Sequence, residues 1–160
     1  MYRPVEVCNK SNSELVFVKS GDYPTITIAA HGRLLLSNAQ YVAYALGNDL
    51  STFDIDVQMT DVDFRNVSVK DFGARGDGMH DDTYFMQQAI DSVSFYGGGT
   101  VRVPVGVYLV SGLILTDGVS LEGQTMDGSV LKLISGSTRP IIAVAGGSSY
   151  ITDLMLRGDD

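Results

Sequence analysis

Tryptophan is absent from this 160-residue chain, cysteine occurs once, and eleven lysines and arginines stand against nineteen aspartates and glutamates. Each shortage excludes something. The lone Cys8 cannot close an intrachain disulfide and reads as a small buried apolar residue. A formal charge of -8 with no basic cluster excludes nucleic acid as a partner, because phosphate binding needs a basic patch. The longest apolar runs, Tyr41 to Leu46 and Ile141 to Ala145, fall far short of the roughly 20 residues that span a bilayer. Met1 to Val7 carries Arg3, Pro4 and Glu6 where an export signal would need an unbroken apolar stretch. The expectation is a protein made in the cytoplasm and not inserted in a membrane.

What is present is a composition able to fold: 44% hydrophobic residues and eighteen glycines. The length suits one sizeable core or two small ones. The pattern divides near residues 59 to 66. Before it, Leu15 to Val18 is a continuous apolar run that reads as a buried strand. Thr25 and Thr27 alternate with Ile26 and Ile28 as in a half-buried one. Gly21, Asp22, Tyr23 and Pro24 between them predict a hairpin-like connection. Leu34 to Leu36 reads as a third strand. Ser37 or Asn38 then caps a short helix over Ala39 to Leu46 that Gly47 and Asn48 end. Phe53, Ile55, Val57 and Met59 alternate with Asp54, Asp56 and Gln58 in a further strand. Residues 1–60 are thus expected to form a small mixed β module with a short helix. So few residues give little core and favour association with other copies. Residues 61–66 are a short ordered connector.

Beyond it, Phe85, Met86, Ala89, Ile90 and Val93 share one helical face, while Gln87, Gln88, Asp91 and Ser92 lie away from it. Asp81 or Asp82 is placed to accept hydrogen bonds from the first-turn amides, and Gly97 to Gly99 stops the helix. Short β segments follow: Val101 to Val103, Val107 to Val110, Leu113 to Leu115, Val119 to Leu121, Val130 to Ile134, Ile141 to Val144 and Ile151 to Leu156. Glycine-rich turns divide them. A sandwich, a barrel and a solenoid all fit such a train, and no strict period chooses among them.

The choice comes from resemblance. Val69, Lys70, Asp71, Phe72, Gly73, Ala74, then Gly76, Asp77, Gly78, then Asp81, Asp82, Thr83, followed by Gly97 to Pro104 and by Gly106, Val107 and Tyr108, resemble the opening of a right-handed parallel β-helix of the pectate-lyase-like superfamily. Ser120, Leu121, Glu122 and Gly123, and later Ser148 to Gly158, look like successive rungs. The resemblance implies a mainly β fold in which residues 67–160 form a capping helix and the first rungs. The amphipathic helix would shield the apolar end and open strand edges of the first rung. This superfamily includes many bacteriophage tailspikes. It implies a homotrimer on the virion, with residues 1–60 fastened to a tail or baseplate protein and a distal part that binds and cleaves bacterial surface polysaccharide. The alternative it implies is a polysaccharide lyase, polygalacturonase or uronate epimerase outside phages. Because a rung at Asp160 has nothing stacked on it, an N-terminal fragment of a longer protein is expected.

The residues themselves assign no catalytic, cofactor or metal position. Hydrolysis needs two carboxyl groups across the scissile bond, and elimination needs a base with charge stabilisation of the uronate. Asp81 and Asp82 read as helix capping and not as a catalytic pair. Asp71 and Asp77 read as turn formers, and a calcium site from Asp71, Asp77, Asp81 and Asp82 is the sharper alternative. Glu122 and Asp153 read as surface rung or turn residues. His80 and His31 lack neighbours at ligand spacing. Gly76 to Gly78 lacks the lysine of a phosphate loop. The two Arg-Gly-Asp tripeptides, at Arg75 and Arg157, are too short to carry meaning.

Overall fold

The computed structural model describes residues 5–17, 25–36, 55–59 and 65–158, with residues 55–59 described by their backbone. The turn expected at 21–24 and the helix expected over 39–46 lie outside these residues. The chain forms two compact units, Met1–Val62 and Asp63–Asp160.

In the first unit, β1 (Val5–Asn9) is the middle strand of an antiparallel sheet between β4 (Arg33–Leu36) and β5 (Ile55–Met59). β2 (Leu15–Phe17) and β3 (Ile26–Ile28) pair antiparallel, Leu15 opposite Ile28 and Phe17 opposite Ile26. Alternation does what the pleat requires: Val5, Val7 and Asn9 are buried, while Glu6 and Cys8 between them are half-buried. Cys8 is therefore not the sealed core residue expected. Similarly, Val16 is 44% exposed, so the apolar run at residues 15–17 is a one-sided strand and not a fully buried one. The buried Asn9 ties the loops together. Its amide nitrogen donates to the carbonyls of Ser13, Ile28 and Ala29 at 2.8, 3.1 and 2.9 Å, and its oxygen accepts from Ser11.

The second unit is a parallel coil. β6 (Asn66–Ser68), β8 (Gly99–Val103), β11 (Val119–Gly123) and β14 (Ile151–Thr152) form one sheet. β7 (Asp77–Asp81), β9 (Gly106–Val110), β12 (Ser129–Leu133) and β15 (Met155–Arg157) form a second. β10 (Leu113–Thr116) and β13 (Ile142–Ala145) form a third, and every pairing in the three sheets is parallel. Two-residue corners at Pro104-Val105, Ser111-Gly112 and Asp117-Gly118 turn the chain from sheet to sheet. Inward residues stack in ladders: Val67, Val101, Leu121, Ile151 on one side, and Tyr108, Leu131, Leu156 on another. Each fully buried aliphatic rung is worth about 1.5–3 kcal/mol of apolar burial. The segment expected as one strand over 151–156 is two, because Asp153 takes φ 53° and bends the chain between sheets.

The first coil has no strand on its third side. There the chain runs as α1 (Thr83–Phe95), whose Met86, Ala89, Ile90 and Val93 are completely buried at helical spacing. Ser92 is buried too, contrary to its expected outward position, because the coil encloses more of the helix than the apolar stripe alone. The amides of Gly97 and Gly98 donate to the carbonyls of Ser94 and Val93 and stop the helix.

Candidate functional site

Outward positions of the first sheet line up across coils: Ser68 beside Arg102, Arg102 beside Glu122, Glu122 beside Thr152. Ser68, Arg102 and Glu122, with Val103, Pro104, Gly123 and Gln124, line a groove of about 480 Å³ at the corner between the first two sheets. Arg102 and Glu122 are exposed, and among the described residues neither forms an ion pair. A guanidinium and a carboxylate thus stand side by side on the groove floor, both able to reach a ligand.

The walls are held from within. Buried Ser129 donates to the Val103 carbonyl at 2.8 Å and accepts from the Gln124 amide at 3.0 Å. Gln124 accepts from the Val105 amide at 3.3 Å, and Tyr108 donates to the Pro104 carbonyl at 3.1 Å. Gly123 is required here. A Cβ on it would sit 1.8 Å from the carbonyl oxygen of Asp153, which closes the corner of the next coil. Chemically the groove offers five-donor recognition of a carboxylate or sulfate by Arg102 and hydroxyl recognition by Glu122 and Ser68. It holds one carboxylate, and hydrolysis by a paired acid and base would need a second. The sequence pattern treated Glu122 as a rung residue and passed over Arg102. Strand alternation after Val101 puts Arg102 outward, but its alignment with Glu122 depends on a ladder that joins residues twenty apart.

The acidic loop before α1 is built differently: its carboxylates serve the backbone. Ser68 and Asp71 form a capping box around the 3-10 turn Val69–Phe72, Asp71 accepting from the Ser68 amide at 3.1 Å. Asp77 accepts from the amides of Met79 and His80 at 2.9 and 3.0 Å and pairs with His80 Nδ1 at 2.6 Å. Those two amides first, and the imidazole after them, hold the Asp77 carboxyl well below the usual carboxylate range. Asp81 accepts from the Thr83 amide at 2.9 Å, the first-turn contact expected of it. Asp82 does not cap with its side chain. It is fully buried and instead accepts from the amides of Arg75 and Gly76 at 2.6 and 2.9 Å, folding the preceding loop back onto the helix start.

Burial pushes the Asp82 carboxyl above its ordinary range, against the pull of those amides and of Lys70. Lys70 donates to the Arg75 carbonyl and lies over the Tyr108 ring, 5.1 Å from its centroid. Burial lowers its pKa, with Asp82 and Asp77 working the other way. Burial also raises the Tyr108 phenol, and the Asp82 charge adds to it. Segment 77–81, expected as loop, is a bulged edge strand against β9. Among the described residues no three acidic, histidine or cysteine side chains converge to hold a metal ion. His31 lies apart in the first unit, its Nε2 at 2.9 Å from Asn12.

The model of the rhamnogalacturonase A/epimerase, pectate lyase-like family matches residues 64–158. Mannuronan C5-epimerase AlgE4 of Azotobacter vinelandii is 49% identical over 82 residues, which are 46% of this chain and 15% of that protein. Alginate lyase 7 of the same organism is 41% identical over 107 residues, 58% of this chain and 12% of that protein. The solved A-module of AlgE4 superposes with a TM-score of 0.52 at 40% identity, covering 56% of this chain and 28% of the module. The exopolygalacturonase of Thermotoga maritima gives 0.50 at 26% identity, covering 64% and 26%. This chain therefore spans a small part of each of these proteins. With the parallel coil, its helical closure and the match across residues 64–158, the chain belongs to the rhamnogalacturonase A/epimerase, pectate lyase-like family.

Proposed function

We propose that this chain is the N-terminal part of a phage tailspike, in which residues 1–60 attach the spike to a tail or baseplate protein and the β-helix acts on bacterial surface polysaccharide. The observation that carries this reading is the separate antiparallel unit Met1–Val62 ahead of the family match that begins at residue 64. A small β unit in front of a coil suits anchoring. Three copies in a homotrimer would multiply a weak contact with the tail by effective concentration. Arg102 and Glu122 give the opening coils a place to hold a sugar chain, and the reacting groups belong to later coils of the parent.

The test is deletion of residues 1–60 from the parent gene. Loss of the spike from virions with polysaccharide cleavage intact supports the reading, and normal incorporation sinks it. New reducing ends in the digest mark hydrolysis, and unsaturated ends mark elimination. A second reading is favoured by the 49% identity to a mannuronan C5-epimerase. On that reading the parent is a uronate epimerase or lyase outside phages. Proton exchange at C5 of a polyuronate in heavy water would select it, with chain length kept for an epimerase and unsaturated ends formed for a lyase.

A further inference from the structure

The outward face of the first sheet carries two polar ladders that run along the coil axis. In one, Arg102 of β8, Glu122 of β11 and Thr152 of β14 stand on successive strands. In the other, Thr100 lies beside Ser120. Tyr150, one residue before β14, extends that second ladder. Its carbonyl accepts from the Leu121 amide at 2.8 Å, which holds it against β11. Alternation from the inward Ile151 turns its ring outward, and it is 68% exposed. Opposite charges directly across a ladder ordinarily close on each other. Arg102 and Glu122 form no ion pair among the described residues, so each keeps its charge for a third group.

Neighbouring strands lie about 4.8 Å apart, close to the rise of one pyranose unit in an extended glycan. A sugar chain laid along the ladders therefore meets one coil per unit. The unit over Arg102 is matched by a carboxylate, which the guanidinium grips with two parallel N–H donors. The next unit lies over Glu122 and Ser120. A second carboxylate there would face the Glu122 charge, whereas ring hydroxyls would donate to it. The third unit lies on the Tyr150 ring, an apolar surface for the C–H face of a sugar. Resting on the reading of this face as one that holds a sugar chain, we propose that it selects a glycan in which an acidic unit has a neutral neighbour, and that it discriminates against a uniform polyuronate.

The test is affinity electrophoresis of the 160-residue chain against oligogalacturonates of one length, as the free acid, partly methyl-esterified and fully methyl-esterified. These probes share a backbone and differ in charge pattern. The partly esterified form should bind about tenfold more tightly than the free acid, the scale of one like-charge contact near a protein surface. The fully esterified form should bind weakest, and added salt should shrink the preference. Glu122→Gln should bring the free acid up to the partly esterified form. Arg102→Gln should weaken both by about tenfold, and Tyr150→Ala should weaken all three probes alike. The three side chains are exposed, so these variants keep the fold. Equal binding of the free acid and the partly esterified form, or a preference that survives Glu122→Gln, overturns this inference, while a loss in Arg102→Gln keeps the sugar-holding reading. Absence of binding by every probe, or binding that Arg102→Gln leaves unchanged, overturns both.

Discussion

Leu115, Leu121 and Leu131 are sealed from solvent, whereas Val144, Ile151 and Leu156, one ladder step further along the same three sheets, are 56, 38 and 49% exposed. The residue types, the inward orientation and the strand pairing are alike. What differs is that the earlier layer has a coil on both sides and the later one a coil on one side. In a stacked architecture, burial belongs to the interface between repeats and not to the repeat itself.

The largest test of that comparison is a pair of truncations. Leu121→Ala should lose about 2–5 kcal/mol in denaturant unfolding, and Ile151→Ala less than about 1 kcal/mol, since it starts part-exposed. Equal losses would break the comparison.

Glycines sharpen it next. Gly76, at φ 61°, would place a Cβ 2.6 Å from the Tyr108 ring, while Gly158 in the last coil has nothing within 4 Å. Gly76→Ala should cost about 1–3 kcal/mol, and Gly158→Ala should stay within about 0.5 kcal/mol of the parent by thermal unfolding.

Two aspartates near the coil's start make opposite predictions with pH. The Asp77 carboxyl is depressed, so its stabilisation is fully present above the unfolded carboxylate range and is lost as pH falls through it toward the folded value. The melting deficit of Asp77→Asn should therefore shrink in acid. The Asp82 carboxyl is raised, so its folded form gains a proton first and the parent gains stability as pH falls from the folded pKa to the unfolded one. Asp82→Asn, which leaves one of two amides without an acceptor, should cost about 1–3 kcal/mol. Its deficit should widen over that acid interval. Parallel profiles for the two variants would refute the assignment.

The smallest stability effect belongs to the groove. Arg102→Ala and Glu122→Ala should each shift stability by no more than about 0.5 kcal/mol, yet on the proposed reading Arg102→Ala should weaken retention of an acidic oligosaccharide by the parent protein in affinity electrophoresis.

Strand positions from Val101 to Val144 were legible because inward residues alternate with outward ones and glycine or aspartate marks each corner. The helix was legible from the spacing of Met86, Ala89, Ile90 and Val93. Strands β1, β6 and β7 were not. β6 has three residues, and β7 consists of aspartate, glycine, methionine and histidine, so its pairing to β9 owes more to the stacked coil than to propensity. The period was hidden for a geometric reason. Val67, Val101, Leu121 and Ile151 occupy one ladder although 34, 20 and 30 residues separate them. The partnership of Arg102 with Glu122 was invisible for the same cause. Asp82 was misassigned because a carboxylate beside a helix start can serve the incoming loop as readily as the first turn.

Those unequal spacings have a consequence for how such a protein can change. The lengths differ because α1 takes the third side of the first coil and because residues 124–128, 134–141 and 146–150 are longer than the two-residue corners of the coil before, and the ladders on either side stay in step. Lengthening a flexible excursion costs only a slowly rising closure entropy, about 0.6 kcal/mol per doubling. A scaffold of this kind can therefore accept new surface loops around its girth, and with them new ligands, without renegotiating a single rung.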